Sequence, residues 1–260
     1  MKLQELFSLK DKVAIVTGGG RGIGKAIATG LAEAGAHLII ASRKLEKLQS
    51  TADELAQFGS RVIPVKCDME SETDIKTLVD TAMQTFGHID ILVNNAGVTW
   101  GASTFKFPQD KWDKIMAVNV RGLWILTQQV GNVMKNQKEG GKIIMIASIM
   151  GMRGADEESQ PAVAYNASKA AILNLTRDLA VKWASQKIYV NAIAPGLFAT
   201  DMMKWLETMP EAKQAALSRV PLNRMGEEDD MKGLAVFLAS PASNYMTGSI
   251  VTVDGGYTAK

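Results

Sequence analysis

Seven apolar runs recur along the chain, at 12–17, 37–41, 61–65, 89–93, 142–146, 188–193 and 250–253, separated by stretches with helical spacing. One helical pattern follows the first run through Ile27, Leu31 and Ala34 and closes at Gly35. Others cover 45–58, 71–86 (with a stripe at Ile75, Leu78, Val79 and Ala82), 108–134, the neighbourhood of Tyr165, and 227–238. Apolar residues at successive rather than alternate positions mark strands covered on both faces. Such strands fit a parallel sheet with helices packed on each side. No Pro/Ser-rich linker, internal repeat or low-complexity segment interrupts the pattern. The expected architecture is α/β: one doubly wound domain over 1–260 with a seven-stranded, mostly parallel sheet.

Ligands of such sheets bind outside the carboxyl ends of the strands, where the strand order reverses. Gly18, Gly22 and Gly24 sit where the first run turns into the first helix, with Arg21 and Ile23 between them. Missing side chains there let the backbone approach a pyrophosphate, whose charge the helix amino end favours. The spacing, Gly-x-x-x-Gly-x-Gly, departs from the commoner Gly-x-Gly-x-x-Gly fingerprint. A tight turn with no ligand is the plainer alternative.

An NAD site usually offers a carboxylate to the ribose hydroxyls about 20 residues beyond the loop. Here the second run ends in Ser42-Arg43-Lys44, and the first acid is Glu46. A carboxylate repels a 2′-phosphate, whereas an arginine grips it with a planar fork. Arg43, with Ser42 and Arg21 assisting, makes NADP(H) the preferred cofactor over NAD(H). The alternative is that Arg43 and Lys44 only solvate the start of a helix.

Tyr165 and Lys169 stand four residues apart in Ala164-Tyr165-Asn166-Ala167-Ser168-Lys169, so on a helix they share a face. A free tyrosine, with a pKa of about 10, is a poor acid or base at neutral pH. A neighbouring ammonium favours the phenolate and lowers that value. The pair suits proton transfer if a neighbouring group needs a proton moved, although tyrosine–lysine pairs at this spacing also occur on ordinary helices.

The net charge of +2 and the absence of a long basic run give no reason to expect nucleic acid or an anionic membrane. Cys67 is the single cysteine, so no internal disulfide forms, and the first ten residues scatter charges with no continuous apolar core. A cytoplasmic protein is expected. His37 and His88 are read as structural, and no His/Cys/carboxylate cluster suggests a metal.

Taken together, Thr17-Gly18-Gly19-Gly20-Arg21-Gly22-Ile23-Gly24, Asn94-Asn95-Ala96-Gly97, Ser148, Tyr165-x-x-x-Lys169 and Ala194-Pro195-Gly196 resemble the short-chain dehydrogenase/reductase family over almost the whole chain. The resemblance implies a Rossmann domain in which Tyr165 is the general acid in reduction and the base in oxidation. It implies that Lys169 depresses the tyrosine pKa and holds the nicotinamide ribose, and that Ser148 hydrogen-bonds the substrate carbonyl. Asn119 resembles the family's helix asparagine that anchors a water in a proton relay. Asp68 is expected to meet the adenine, Asn95 and Ala96 to line the cofactor cleft with Pro195 and Gly196, and Ile193 and Thr200 to flank the nicotinamide. Homotetramers, formed through the helices holding Asn119 and Tyr165 and through the last strand, are implied as well.

The stretch 149–164 is a few residues longer than in many relatives, and its acidic run is read as a solvated loop. Residues 197–221 are expected to form a lid over the substrate, with Met202, Trp205, Leu206 and Met209 on one helical face, either packing on the core or facing an apolar substrate. The Trp100-Gly101 continuation after Asn94–Gly97 resembles ketoacyl reductases, which favours reduction of a 3-oxoacyl thioester carried by coenzyme A or an acyl-carrier protein. The gluconate 5-dehydrogenase branch is the alternative, followed by a non-catalytic NADPH-binding regulator.

Overall fold

Each apolar run becomes a strand: β1 (Val13–Thr17), β2 (His37–Ser42), β3 (Val62–Lys66), β4 (Ile91–Asn94), β5 (Gly141–Ile146), β6 (Ile188–Pro195) and β7 (Ile250–Val253). The computed structural model describes residues 1–158 and 160–260, without the side chains of residues 202, 204, 205 and 207. The strand order is β3-β2-β1-β4-β5-β6-β7, and every pairing is parallel. The chain therefore runs outward from β1 to β3 and restarts beside β1 at β4. That reversal opens a crevice at the carboxyl ends of β1 and β4.

Between strands lie α1 (Leu3–Phe7), α2 (Gly22–Glu33), α3 (Leu45–Ala56), α4 (Glu72–Phe86), α5 (Gln109–Met116), α6 (Leu123–Lys135), α7 (Val163–Trp183), α8 (Pro210–Leu217) and α9 (Glu228–Ala239). Successive strand residues point to opposite faces, which splits the apolar runs into two cores. Ile15, Ile39, Leu92 and Ile143 pack with Leu78, Leu126 and Ile172 from α4, α6 and α7. Ala14, Val16, Leu38 and Ile40 pack on the other face with Ile27, Leu31, Leu48 and Leu238 from α2, α3 and α9. Pro64 sits in β3, at the sheet edge where a missing ladder N–H costs least. Among the described residues no helix is long and apolar enough to cross a membrane.

Two expectations need correction. The pattern at 108–134 is not one α-helix: a π-helical turn over Ala117–Gly122 separates α5 from α6. A Cβ on Gly122 would fall 1.9 Å from the Met69 carbonyl oxygen, so the helix passes too close to that carbonyl for a side chain. The apolar period hides a widened turn because the buried stripe resumes on the same face. Likewise, Asp201–Thr208 winds as a 3-10 helix, so a face spaced for 3.6 residues per turn does not hold. Leu206 is buried and Met209 is 52% exposed; the side chains of Met202 and Trp205 lie outside the described residues.

Lys142 is buried at the start of β5, opposite the crevice, with its Nζ 3.2 Å from Ser243 Oγ and 4.1 Å from the Tyr189 ring centroid. Burial pushes its pKa down to about 8. A base with a lowered folded pKa holds fewer protons folded than unfolded, so stability falls as pH drops from the unfolded value through that pKa. Lys142→Met should therefore melt above the wild type at pH 7, with the gap narrowing as pH rises past about 8. Ser243 stays satisfied in the variant, because its Oγ also bonds the Leu238 and Ser240 carbonyls. Thermal melts of both proteins across this range check it; a variant that melts lower at neutral pH would mean that the Tyr189 ring outweighs desolvation.

Candidate active site

Thr17, the last residue of β1, joins the two strands that bound the crevice. Its Oγ1 accepts from the Asn95 and Ala96 N–H groups, both at 3.0 Å, and donates to the Val93 carbonyl. The Asn95 amide donates to the Thr17 carbonyl at 2.8 Å, which holds the segment after β4 against the glycine loop. Gly18 and Gly22 take left-handed φ values of 66° and 51°. A Cβ on Gly24 would stand 2.2 Å from the Gly18 carbonyl oxygen and 2.4 Å from Asn95 Nδ2. Arg21 precedes α2 in extended conformation without capping it, so the first N–H groups of that helix keep their donors for an anion. The Ile23 side chain packs against the α2/α9 side core, while its N–H belongs to the uncapped first turn of α2.

Ser42 and Arg43 lie at the carboxyl end of β2, with Arg43 exposed and Ser42 Oγ accepting from the Lys44 N–H at 3.4 Å. Asp68 follows the adjacent β3, and its Oδ1 accepts from the Glu70 N–H. These three residues thus share one side of the crevice. Pro195 ends β6, and Gly196 packs so tightly on Asp254 that a Cβ would lie 2.7 Å from its Cα. Thr200 reaches back over the glycine loop, 3.1 Å from where a Gly22 Cβ would stand.

On the other side of the crevice, Ser148 follows β5 and caps a short 3-10 turn, its Oγ accepting from the Met150 N–H at 3.2 Å. Tyr165 lies in the first turn of α7 and hydrogen-bonds Ser148. Lys169 is one turn further on, its Nζ donating to the Ile146 carbonyl at 2.7 Å and standing 5.5 Å from the Tyr165 ring centroid. Burial pushes the phenol pKa up, and the Ser148 bond only partly offsets it. The expected depression by Lys169 is therefore reversed. The cause is that burial penalises both charged forms, and it lowers the Lys169 pKa to about 8. The Tyr165 phenol thus keeps its proton at neutral pH, and Lys169 holds its own less tightly than an exposed lysine does.

Asn119 stands in the π turn, fully buried. Its Oδ1 accepts from the Val98 N–H at 2.8 Å, and its Nδ2 donates to the Val98 carbonyl at 2.9 Å and to Ser168 Oγ at 3.0 Å. The side chain amide is committed to protein partners, fixing the segment after β4 to α7. Ser168 was missed by sequence reasoning; it is buried, and its Oγ also donates to the Tyr165 carbonyl at 2.7 Å. A small hydroxyl three residues after Tyr165 on the buried face was the available signal. Gly97 marks where the groups converge: a Cβ there would lie 3.4 Å from Asn119 Oδ1 and 3.7 Å from Lys169 Nζ.

The acidic run of the 149–164 stretch is tied down rather than merely solvated. Glu157 accepts from the Thr104 N–H at 3.3 Å and the Thr104 hydroxyl at 2.7 Å, and Asp156 lies 3.8 Å from Arg219, just beyond α8. The Ala102 N–H donates to the Pro161 carbonyl at 2.8 Å. The Ser103 hydroxyl, then the Thr104 hydroxyl and N–H, hold Glu157 below the usual carboxylate range.

A family model described as Enoyl-(Acyl carrier protein) reductase matches residues 18–258. The chain is 37% identical over 254 residues to a 2-dehydro-3-deoxy-D-gluconate 5-dehydrogenase of Dickeya dadantii, covering 98% of each chain. It is 38% identical over 255 residues to a rhamnolipids-biosynthesis 3-oxoacyl-(acyl-carrier-protein) reductase of Pseudomonas aeruginosa, covering 96% of this chain and 98% of that one. The crystal structure of a gluconate 5-dehydrogenase from Burkholderia cenocepacia, in complex with NADP and tartrate, superposes with a TM-score of 0.93 at 34% identity over the full length of both. With the all-parallel sheet, the glycine cradle and the Ser148–Tyr165–Lys169 convergence in place, these matches establish that the chain belongs to the short-chain dehydrogenase/reductase family of oxidoreductases.

Proposed function

We propose that this protein binds NADP(H) and interconverts the ketone and secondary alcohol of a small sugar acid. The observation that carries the reaction class is the convergence of Ser148, Tyr165 and Lys169 beside a glycine loop whose cradle a Cβ would fill. The residues present fit a dinucleotide: Gly18, Gly22 and Gly24 with the open amino end of α2 hold the pyrophosphate, and Ser42 and Arg43 take the 2′-phosphate. Asp68 faces the adenine, while Asn95, Ala96, Pro195, Gly196 and Thr200 line the nicotinamide side, with Lys169 on its ribose. The bound nicotinamide supplies or accepts the hydride. Ser148 orients the substrate carbonyl, Tyr165 delivers a proton to its oxygen, and Lys169 restores that proton, while Asn119 and Ser168 keep the lysine and tyrosine turns in register.

Sugar-acid chemistry is favoured by the 2-dehydro-3-deoxy-D-gluconate 5-dehydrogenase and gluconate 5-dehydrogenase named among the similar proteins, with a 3-oxoacyl thioester, first suggested by Trp100-Gly101, as the second reading. A panel of keto sugar acids, acetoacetyl thioesters and steroids with NADPH decides between them; the proposal expects the highest kcat/KM on a keto sugar acid, and a thioester optimum would reverse the order.

Arg43→Asp removes a charge-assisted bond worth about 1.5–3 kcal/mol and adds repulsion, so NADPH affinity should fall about 10- to 100-fold while NADH affinity does not. Nucleotide titrations by fluorescence check this, and parallel losses for both nucleotides would remove Arg43 from the 2′-phosphate site. The proposed homotetramer is tested by light scattering of the purified chain, where a monomer would overturn it. Val181 on α7 leaves apolar surface open on one of the elements expected to meet.

A further inference from the structure

Arg21 belongs to the glycine loop, yet its Nη1 donates to Asp201 Oδ2 at 2.9 Å, across a sequence separation of 180 residues. Asp201 opens the 3-10 helix Asp201–Thr208, the first turn of the lid. The two segments also touch through Gly22 and Thr200, so the lid begins against the cofactor loop. Both side chains keep access to solvent, with exposures of 67% and 34%, so the pair can open without a large packing cost.

We propose that Asp201 is a specificity-determining residue for the cofactor: it holds Arg21 on the lid, and a 2′-phosphate draws Arg21 away from it. The inference rests on the reading of this chain as an NADP(H) enzyme. The chemistry is an exchange of acceptors: a carboxylate carries one negative charge, whereas a phosphate monoester carries about 1.5 to 2 and three acceptor oxygens. Arg21 meets Asp201 through a single Nη1–Oδ2 bond, so the carboxylate competes by neutralising the guanidinium charge that a 2′-phosphate would attract. A 2′-phosphate therefore draws Arg21 from the Asp201 carboxylate and weakens its hold on the first turn of the lid. A cofactor without that phosphate leaves the Arg21–Asp201 pair closed, so the lid distinguishes the two nucleotides at a point remote from the reacting carbon.

Nucleotide binding by fluorescence titration tests this without turnover. Asp201→Asn removes the competing charge, and since exposed pairs are worth about 0.2–1 kcal/mol, NADPH should bind about two- to fivefold more tightly with NADH unchanged. Arg21→Gln should weaken NADPH and leave NADH alone, and in the double variant the gain from Asp201→Asn should vanish. Circular dichroism confirms that each variant is folded. Unchanged NADPH binding in Asp201→Asn, or equal shifts for NADPH and NADH, would overturn the inference while leaving the NADP(H) reading intact. A wild-type protein that binds no NADPH would overturn that reading itself.

Discussion

Tyr165→Phe loses turnover by about 10²- to 10⁴-fold, the range a positioned general acid contributes, and still binds NADPH with nearly wild-type affinity. The phenyl ring fills the same space, and Ser148 keeps its bond from the Met150 N–H, so the surroundings have no reason to collapse. What disappears is the proton donor. Burial holds the phenol protonated well above neutral pH, which suits reduction directly. Reduction needs the protonated phenol and should be flat through neutral pH, then fall as Lys169 and, at higher pH, the phenol lose their protons. Oxidation needs the phenolate and should rise with pH. Lys169, with its pKa near 8, adds a second inflection to either profile. Steady-state kcat in both directions across pH, for wild type and variant, checks the assignment; oxidation falling with rising pH would contradict it.

Asn119→Leu is the second large effect, and it acts first on stability. The substitution leaves the Val98 N–H and carbonyl without their side-chain partners and removes the amide donor to Ser168. Val98 is half-buried, so its N–H and carbonyl fall toward the lower part of the usual range of about 1–3 kcal/mol for an unpaired group, about 2–4 kcal/mol together. That is a large part of a typical folding stability of about 5–15 kcal/mol. A drop of about 10 °C in the thermal midpoint follows for a domain of this size. Ser168→Ala is milder, because Asn119 Nδ2 keeps the Val98 carbonyl. Melting curves and NADPH titrations of the two variants check the ranking; Asn119→Leu melting within about 2 °C of the wild type would mean that Val98 finds other partners.

The fold was legible because strands buried on both faces carry unbroken apolar runs, and the seven strands from β1 to β7 coincide with them. The site was legible where chemistry forces identity: the Gly24 contact admits no side chain, and Tyr165 and Lys169 keep helical spacing. Features set by long-range approach were not legible. The close approach of Gly122 to Met69, the Glu157–Thr104 bonds and the Arg21–Asp201 pair join residues that lie 53, 53 and 180 apart respectively. The direction of the Tyr165 pKa shift was misjudged for the same reason. A lysine one turn away argues for a lower value, while burial, which only the packed structure reveals, argues for a higher one and prevails.

The central claim is that Ser148, Tyr165 and Lys169 complete a carbonyl reduction beside bound NADPH. Single-turnover reaction of a keto sugar acid with NADPH deuterated on the transferring carbon tests it most directly. The account predicts deuterium on the new carbinol carbon with the wild-type protein and only trace incorporation with Tyr165→Phe. Equal incorporation by both proteins, or none by the wild type on any keto acid or thioester despite tight NADPH binding, would contradict it.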